Sequence, residues 1–558
     1  MASQNFIQGK VGDSSVDSPM PDSYRSPPYS PIVQLVERWT VNPYVAGSSP
    51  ARGAIYKRGR QQWRPLLFYL FSNGLMFVMA GSASYSIRCN GFRKGVDMSS
   101  MRRERDSMGE MQVPEDAMYG AQTARAAENF PVSNLRFSRP FIKALGNIKC
   151  SAAEVNRALG KLESERATLI ARAAIEVADG LWDAQFVLDI FQTGSGTSTN
   201  MNANEVIAHR CSELDDATSV HPNDHVNMGQ SSNDVIPTAI HVAAADLLMH
   251  ELLPALSHLH QQLMVKSEET MDAVKIGRTH LMDATPITLG QEISGWARQV
   301  ELGIERLKST LPRITELAQG GTAVGTGLNT HSEFGAGVAA ELSSTYGIGF
   351  HEAANHFEAQ AAQDAAVELS GQLRTLAVSL VKIANDVRLL NAGPRCGLGE
   401  ITVPAVQPGS SIMPGKVNPV IAESMAQVAA QVIGNDAAIA FGGASGLLDL
   451  NVMLPVIAHN LLESETILAN ACGMFADKCI AGIEANREKC EQQIEWSMSM
   501  VTSLAPVIGY DRASEIAKQA VIEGKTVRQL CLEEELLPED ELDRLLDPSS
   551  MLSPNGNS

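Results

Sequence analysis

Between Gly409 and Pro419 the chain reads GSSIMPGKVNP, which gathers two hydroxyls (Ser410, Ser411), an ammonium (Lys416) and a carboxamide (Asn418) around Val417. Pro414 and Gly415 allow a bend sharp enough to turn Ser410 and Lys416 toward one spot. Pro419 suits the first position of a helix, where its missing N–H would be unpaired anyway, and Asn418 before it is a favoured N-cap type. The loop is therefore expected to end on a helix N-terminus with a cation beside it, a natural seat for an anion. A surface turn uses the same residue types, so a shorter piece of this loop would say little by itself.

Three more stretches set small polar residues ahead of a helix-forming run. TGSGTSTNMNANEVIAHR starts at Thr193, HPNDHVNMGQSSNDVIPTAIH at His221 and GRTHLMDATPITLGQE at Gly277. Hydroxyls, amides and backbone N–H groups gather there where helix dipoles point outward, so a ligand with two carboxylates would find donors in plenty. Each stretch also has a plain reading as a set of helix caps, worth typically about 1 kcal/mol and needing no ligand. His280 alone reads as a partly buried histidine, and Glu423, one turn beyond Pro419, as a carboxylate at a helix dipole. Neither GSGT at Gly194 nor GGTAVGTG at Gly320 has the Lys-Ser/Thr completion of a phosphate loop, which sets a nucleotide site aside.

What must hold these groups is helical. Leu369, Leu373, Leu376, Leu380, Ile383, Val387 and Leu390 alternate spacings of four and three, the seam of a helix bundle. Ile293, Trp296, Val300, Ile304 and Leu307 make a second stripe after Pro286. With the runs from Pro419 and Asn451 they imply a bundle of long helices in mid-chain, and both stripes read as core without chemistry. From about Glu491 the pattern becomes shorter and more charged, a small helical domain ending in a polar tail after Asp547.

The totals agree with this. In 558 residues, 44% are hydrophobic and only 5% aromatic, which suits closely packed helices. A net charge of −19 argues against nucleic acid or an anionic membrane as partner, since both want a basic face. An acidic substrate requires only that the site be locally positive. The eight cysteines stand without a C-x-x-C or metal-finger spacing, as free thiols in a reducing compartment do, and without the grouped thiolates of an iron–sulfur cluster. Residues 1–97 differ, with eleven Lys or Arg against five Asp or Glu, while the rest carry 33 against 58. An apolar run from Leu66 to Ala80 follows Lys57, Arg58, Arg60 and Arg64 and precedes Gly81–Ser84, the layout of a signal peptide. It lies more than sixty residues in, and Ser72, Asn73 and Gly74 interrupt it too early for a membrane span.

Taken jointly and in this order, the four polar stations resemble the signatures of the fumarase/aspartase superfamily, and the GKVNP ending is most similar to class II, iron-independent fumarate hydratases. The resemblance covers roughly residues 101–548. It implies a mostly α, three-domain fold with a central long-helix bundle: an N-terminal lyase domain over 98–235, the bundle over 236–490 and a small C-terminal domain over 491–558. It implies a homotetramer in the cytoplasm whose sites are each built from three subunits, and a hydro-lyase reaction of fumarate and L-malate with no metal or organic cofactor. Ser195, Gly196, Thr197, Ser231, Ser232, Asn233, Thr279, Ser411, Lys416, Val417 and Asn418 would then surround the substrate. Ser410 would take the proton from carbon, and His280, paired with Glu423, would serve the departing or attacking oxygen. The same likeness assigns a second, non-catalytic dicarboxylate site to His221, Pro222, Asn223 and Asp224, although residues 211–220 hold none of the Lys or Arg that often precede it. Met282 stands where a glutamine is commoner. An aspartate ammonia-lyase on the same fold, and a helical scaffold without catalysis, are the alternatives; GRTH with His280 and the Gly415 form of the loop weigh against the first, and the presence of Ser410, Lys416 and His280 against the second. VERWTVNPYVAGSSPARGA, Val36–Ala54, resembles the read-through product of a transfer-RNA gene, whereas MRRERDSMGEMQVPEDAMYGAQTARA from Met101 resembles the family's N-terminus. Translation is accordingly expected to start at Met98 or Met101, with residues 1–97 disordered or spurious.

Overall fold

The computed structural model describes residues 69–72, 75–80, 83–87 and 101–554. Two compact units divide the chain at Lys94/Gly95. In the first, β1 (Tyr69–Ser72), β2 (Leu75–Ala80) and β3 (Ala83–Ile87) form an antiparallel meander. These strands fall in the stretch for which disorder or absence is expected. The transfer-RNA-like segment 36–54 lies outside the described residues.

The second unit opens with a hairpin of β4 (Met101–Asp106) and β5 (Gly109–Pro114). The Arg102 guanidinium closes its end by donating to the carbonyls of Pro114, Glu115, Ala117 and Tyr119. Long helices then follow: α1 (Ala121–Asn129), α2 (Arg139–Ala158), α3 (Ser164–Ala178), α4 (Thr197–Leu214), α5 (Ser232–Leu247) and α6 (Leu253–Glu269). A hairpin of β6 (Val274–Thr279) and β7 (Met282–Thr288) precedes α7 (Leu289–Lys308), α8 (Phe334–Tyr346), α9 (Asp364–Leu390), α10 (Val420–Gly443) and α11 (Leu454–Phe475). Shorter helices, among them α12 (Arg487–Trp496) and α13 (Tyr510–Glu523), complete the chain around a separate small core.

Helices α5 to α7, α9, α10 and α11 pack side by side as the expected bundle. Every residue of the Leu369–Leu390 seam is buried, as are Ile293, Trp296, Val300 and Leu307 of the second stripe. The expected domain limits at 235/236 and 490/491 fall inside α5 and α12. The helical stretch Ser232–Glu269 is long and apolar enough to cross a membrane, but 67% of its most apolar window is buried inside the molecule, as in a core helix.

One carboxyl breaks the apolar pattern. Glu465, in the middle of α11, is completely buried, and among the described residues neither of its oxygens has a hydrogen-bond partner. Burial, with the nearby Asp246 charge, pushes its carboxyl well above the ordinary value of 4.5. A raised folded value means that this group's stabilising contribution is complete below the ordinary value and is lost as pH rises through the raised one. Glu465→Gln is expected to raise the melting temperature by a few degrees near neutral or alkaline pH and much less in mild acid. Thermal unfolding at two pH values checks this, and an equal shift at both would contradict it.

Candidate active site

The Ser410 loop closes on itself. Gly409 N–H donates to the Lys416 carbonyl at 2.9 Å, and the Asn418 amide donates to the Gly409 carbonyl at 2.8 Å. A Cβ on Gly409 would lie 2.4 Å from the Lys416 oxygen, so the ends of the loop meet only because that residue is glycine. Ser410 Oγ accepts from the N–H groups of Ile412 and Met413 at 3.3 and 3.2 Å, a local donor set of the kind that stabilises oxygen charge. Ser411, Lys416 and Val417 are exposed around it. Helix α10 starts at Val420, one residue later than the sequence suggests, and no side chain caps it. Asn418, expected as the N-cap, spends its amide on closing the loop and leaves the helix start open.

The stretch around His280 is a hairpin and not a loop before a helix. Thr279 and Met282 pair across a two-residue turn in which His280 and Leu281 both have positive φ, 57° and 61°. Such mirror-image turns normally use Asn-Gly, and a left-handed non-glycine residue costs roughly 1–2 kcal/mol. The strands below the turn are pinned by buried charge. Glu400, fully buried, accepts Arg278 Nη1 at 2.7 Å and lies 3.2 Å from Lys275 Nζ, which also meets Glu292 at 2.9 Å. Arg278 Nη2 reaches Gln493 of α12 at 2.9 Å. The His280 ring stands exposed beyond this anchor, next to exposed Leu281 and Met282.

The other two stations adjoin each other. Ser195 Oγ and Thr197 Oγ1 are 2.7 Å apart at the start of α4, where Gly196 offers no side-chain cap and Gln192 Oε1 accepts the Thr199 N–H at 3.1 Å. The Gly194 carbonyl receives Leu454 N–H at 3.0 Å, and a Cβ at Gly194 would sit 2.0 Å from the Val452 oxygen, so this loop is pressed onto the start of α11. Ser231 caps α5 in a capping box with Asp234, whose carboxylate accepts Ser231 N–H at 2.8 Å. The second Asp234 oxygen takes Thr322 and Gly320 N–H groups, and burial still pushes this carboxyl up to about 6. The Asn233 amide donates to the Ala323 carbonyl, and Ser232 Oγ accepts Asn200 Nδ2 at 3.0 Å, which links the α5 station to the α4 station.

His221 Nδ1 accepts the N–H groups of Asn223 and Asp224 and so caps the short turn at Pro222. His221, Pro222 and Asn223 line a cavity of about 620 Å³ together with Glu104, Asp106 and His209. Among the described residues, no hydrogen bond or ion pair joins His280 to Glu423, or the Ser410 loop to the Ser195 and Ser231 stations. No group of three or more His, Cys, Asp or Glu among them is placed to hold a metal ion. Glu400 is the member that the sequence hides, for it lies 120 residues from the turn it anchors. Glu400→Ala leaves buried Lys275 and half-buried Arg278 without their shared acceptor and is expected to cost about 3–5 kcal/mol. Denaturant unfolding measures this, and stability equal to that of the parent would contradict the anchoring role.

A family profile described as lyase matches residues 109–434, and one described as fumarase C C-terminus matches residues 500–553. The class II fumarate hydratase of Halobacterium salinarum is 58% identical over 455 residues, 81% of this chain and 97% of that protein. Its counterpart in Corynebacterium efficiens is 54% identical over 456 residues, 81% of this chain and 96% of that protein. Among solved structures, the class II fumarase of Schistosoma mansoni superposes with a TM-score of 0.79 at 41% identity, covering 82% of this chain and 100% of that one.

Proposed function

The chain belongs to the class II fumarate hydratases of the fumarase/aspartase lyase family, and we propose on that premise how its residues interconvert fumarate and L-malate. The observation that carries the reading is the Ser410 oxygen, held by two backbone N–H groups on a loop that also presents Lys416 and runs into an uncapped helix start.

Dehydrating L-malate breaks a C–H bond beside a carboxylate, so two negative charges gather on one carboxylate group before hydroxide leaves. Lys416 and the N–H groups still open at the start of α10 supply the donors for that charge on a loop whose shape the Asn418 amide holds, and fixed donors stabilise the intermediate without reorganising. Ser410, as alkoxide, takes the proton from carbon. His280 gives a proton to the departing hydroxide, or takes one from water in the reverse direction, with Glu423 orienting the ring. Ser195, Thr197, Ser231, Ser232, Asn233 and Thr279 hold the two carboxylates by neutral donors.

Among the described residues no hydrogen bond or ion pair joins the Ser410 loop or His280 to the Ser195 and Ser231 stations, which supports sites that are each built from three subunits of a homotetramer. Exposed Phe441, Leu448, Val378 and Ile412 on the bundle and its loops support such an assembly, since each is a large apolar group open to water in the single chain. The cysteines among the described residues are all free thiols, which suits a cytoplasmic enzyme.

Ser410→Ala is expected to reduce turnover by orders of magnitude, and His280→Asn to lower kcat by about 10²–10⁴-fold, both with assembly intact. Refolding the two inactive variants together is the sharper test. If Ser410 and His280 of one site come from different subunits, random mixing restores about one quarter of the parental turnover. A mixture as inactive as its components would contradict the shared site.

A further inference from the structure

Lys149 lies in the middle of α2, completely buried, and has no part in the arrangement above. Among the described residues its ammonium touches no carboxylate. It donates instead to Asn227 Oδ1 at 2.9 Å and Gln230 Oε1 at 3.0 Å, both on the segment that leads into the Ser231 station. Asn227 Oδ1 also receives Asn200 Nδ2 at 3.1 Å and Asn204 Nδ2 at 3.2 Å, and the Asn227 amide donates to the Gln230 carbonyl at 3.1 Å. Asn200 Nδ2 is shared with Ser232 Oγ at 3.0 Å. A continuous relay of side chains therefore runs from the Lys149 ammonium to the Ser232 hydroxyl.

Burying a cation without a paired anion is expensive, and here burial pulls the Lys149 ammonium down from its ordinary value. The charge facing it, Asp234, is occupied by the N–H groups of Ser231, Gly320 and Thr322. What the lysine supplies is a head with several donors at a point where two amide oxygens must be held together. With Asn227 fixed, Asn200 is fixed, and Ser232, already an acceptor from Asn200, has its own O–H left to give outward. A dianionic ligand at that hydroxyl would also supply the negative charge that the relay lacks.

We infer that Lys149 is a positioning residue for substrate binding: through Asn227 and Asn200 it orients the Ser232 hydroxyl as a donor to a substrate carboxylate. This rests on the assignment of Ser232 to the dicarboxylate site. Lys149 touches neither substrate nor reacting atoms, so its effect falls on binding common to the ground and transition states, which raises KM and leaves kcat nearly unchanged.

The test is a double-mutant cycle between Lys149→Met and Ser232→Ala in the full-length protein, read as KM and kcat for L-malate. Each single substitution is expected to raise KM by about tenfold to a hundredfold, the effect of losing a charge-assisted or ligand hydrogen bond. The double variant is expected to be no worse than the weaker-binding single. Should Lys149→Met fail to fold, Lys149→Ala, which likewise removes every donor, goes through the same cycle. An unchanged KM in the lysine variant, a loss confined to kcat, or fully multiplicative effects would overturn the inference and leave the hydratase reading standing. Absence of malate turnover by the unsubstituted protein would overturn both.

Discussion

Glu400 is the buried charge on which the His280 turn stands. Its carboxylate meets Lys275 and Arg278 on one strand of the hairpin, and its backbone accepts Asn486 N–H at 2.8 Å and gives its own N–H to Leu390 at 2.9 Å. The end of the central helix α9, the β6–β7 hairpin and the C-terminal helix α12 are thus tied at one residue. A buried ion cluster is a poor source of net stability, because desolvation offsets the attraction, but it tolerates only one arrangement of its members. That matters because the turn above it is strained. Two consecutive left-handed residues without glycine persist only where the surroundings over-determine them, and such strain collects at functional sites.

A second constraint is charge. A chain of net charge −19 takes a dicarboxylate substrate, so the site that receives it has to be locally positive. Neither α4 nor α10 is capped by the side chain of its own N-cap residue, although Gln192 takes the Thr199 N–H of α4 and the Asn418 carbonyl the Val420 N–H of α10, while α5 is closed by its own Ser231–Asp234 box. Lys416 stays exposed beside one open start, and Lys149 is buried behind the third station. Loop closures at Gly194 and Gly409 then fix where the open helix starts point, since at either position a side chain would collide with backbone across the loop.

Much of this was legible from residue order. The Leu369–Leu390 spacing gave the central seam because helix geometry repeats regardless of what lies around it, and the polar stations appeared as small polar residues ahead of apolar runs. Asn418 differs from its expected capping role because an asparagine before a proline can cap a helix or close a loop, and only the approach of Gly409 decides between them. The hairpin at His280 escaped for a related reason: THLM carries no Asn-Gly, and the positive φ values are imposed by the anchored strands. Glu400 and Lys149 left no local signal. Their roles depend on contacts with residues 122 and 78 positions away, which no spacing rule encodes.

The most direct measurement supplies the purified protein, in parallel, with L-malate and with L-aspartate, and follows the ultraviolet absorbance of fumarate. Both substrates lose a proton beside a carboxylate and differ only in the leaving group, so the comparison isolates the chemistry assigned to His280 from that assigned to the Ser410 loop. Fumarate formed from L-malate alone is the expected result. Fumarate formed from L-aspartate alone would mean that the fold and the serine loop serve ammonia elimination, and fumarate from neither would contradict the catalytic reading altogether.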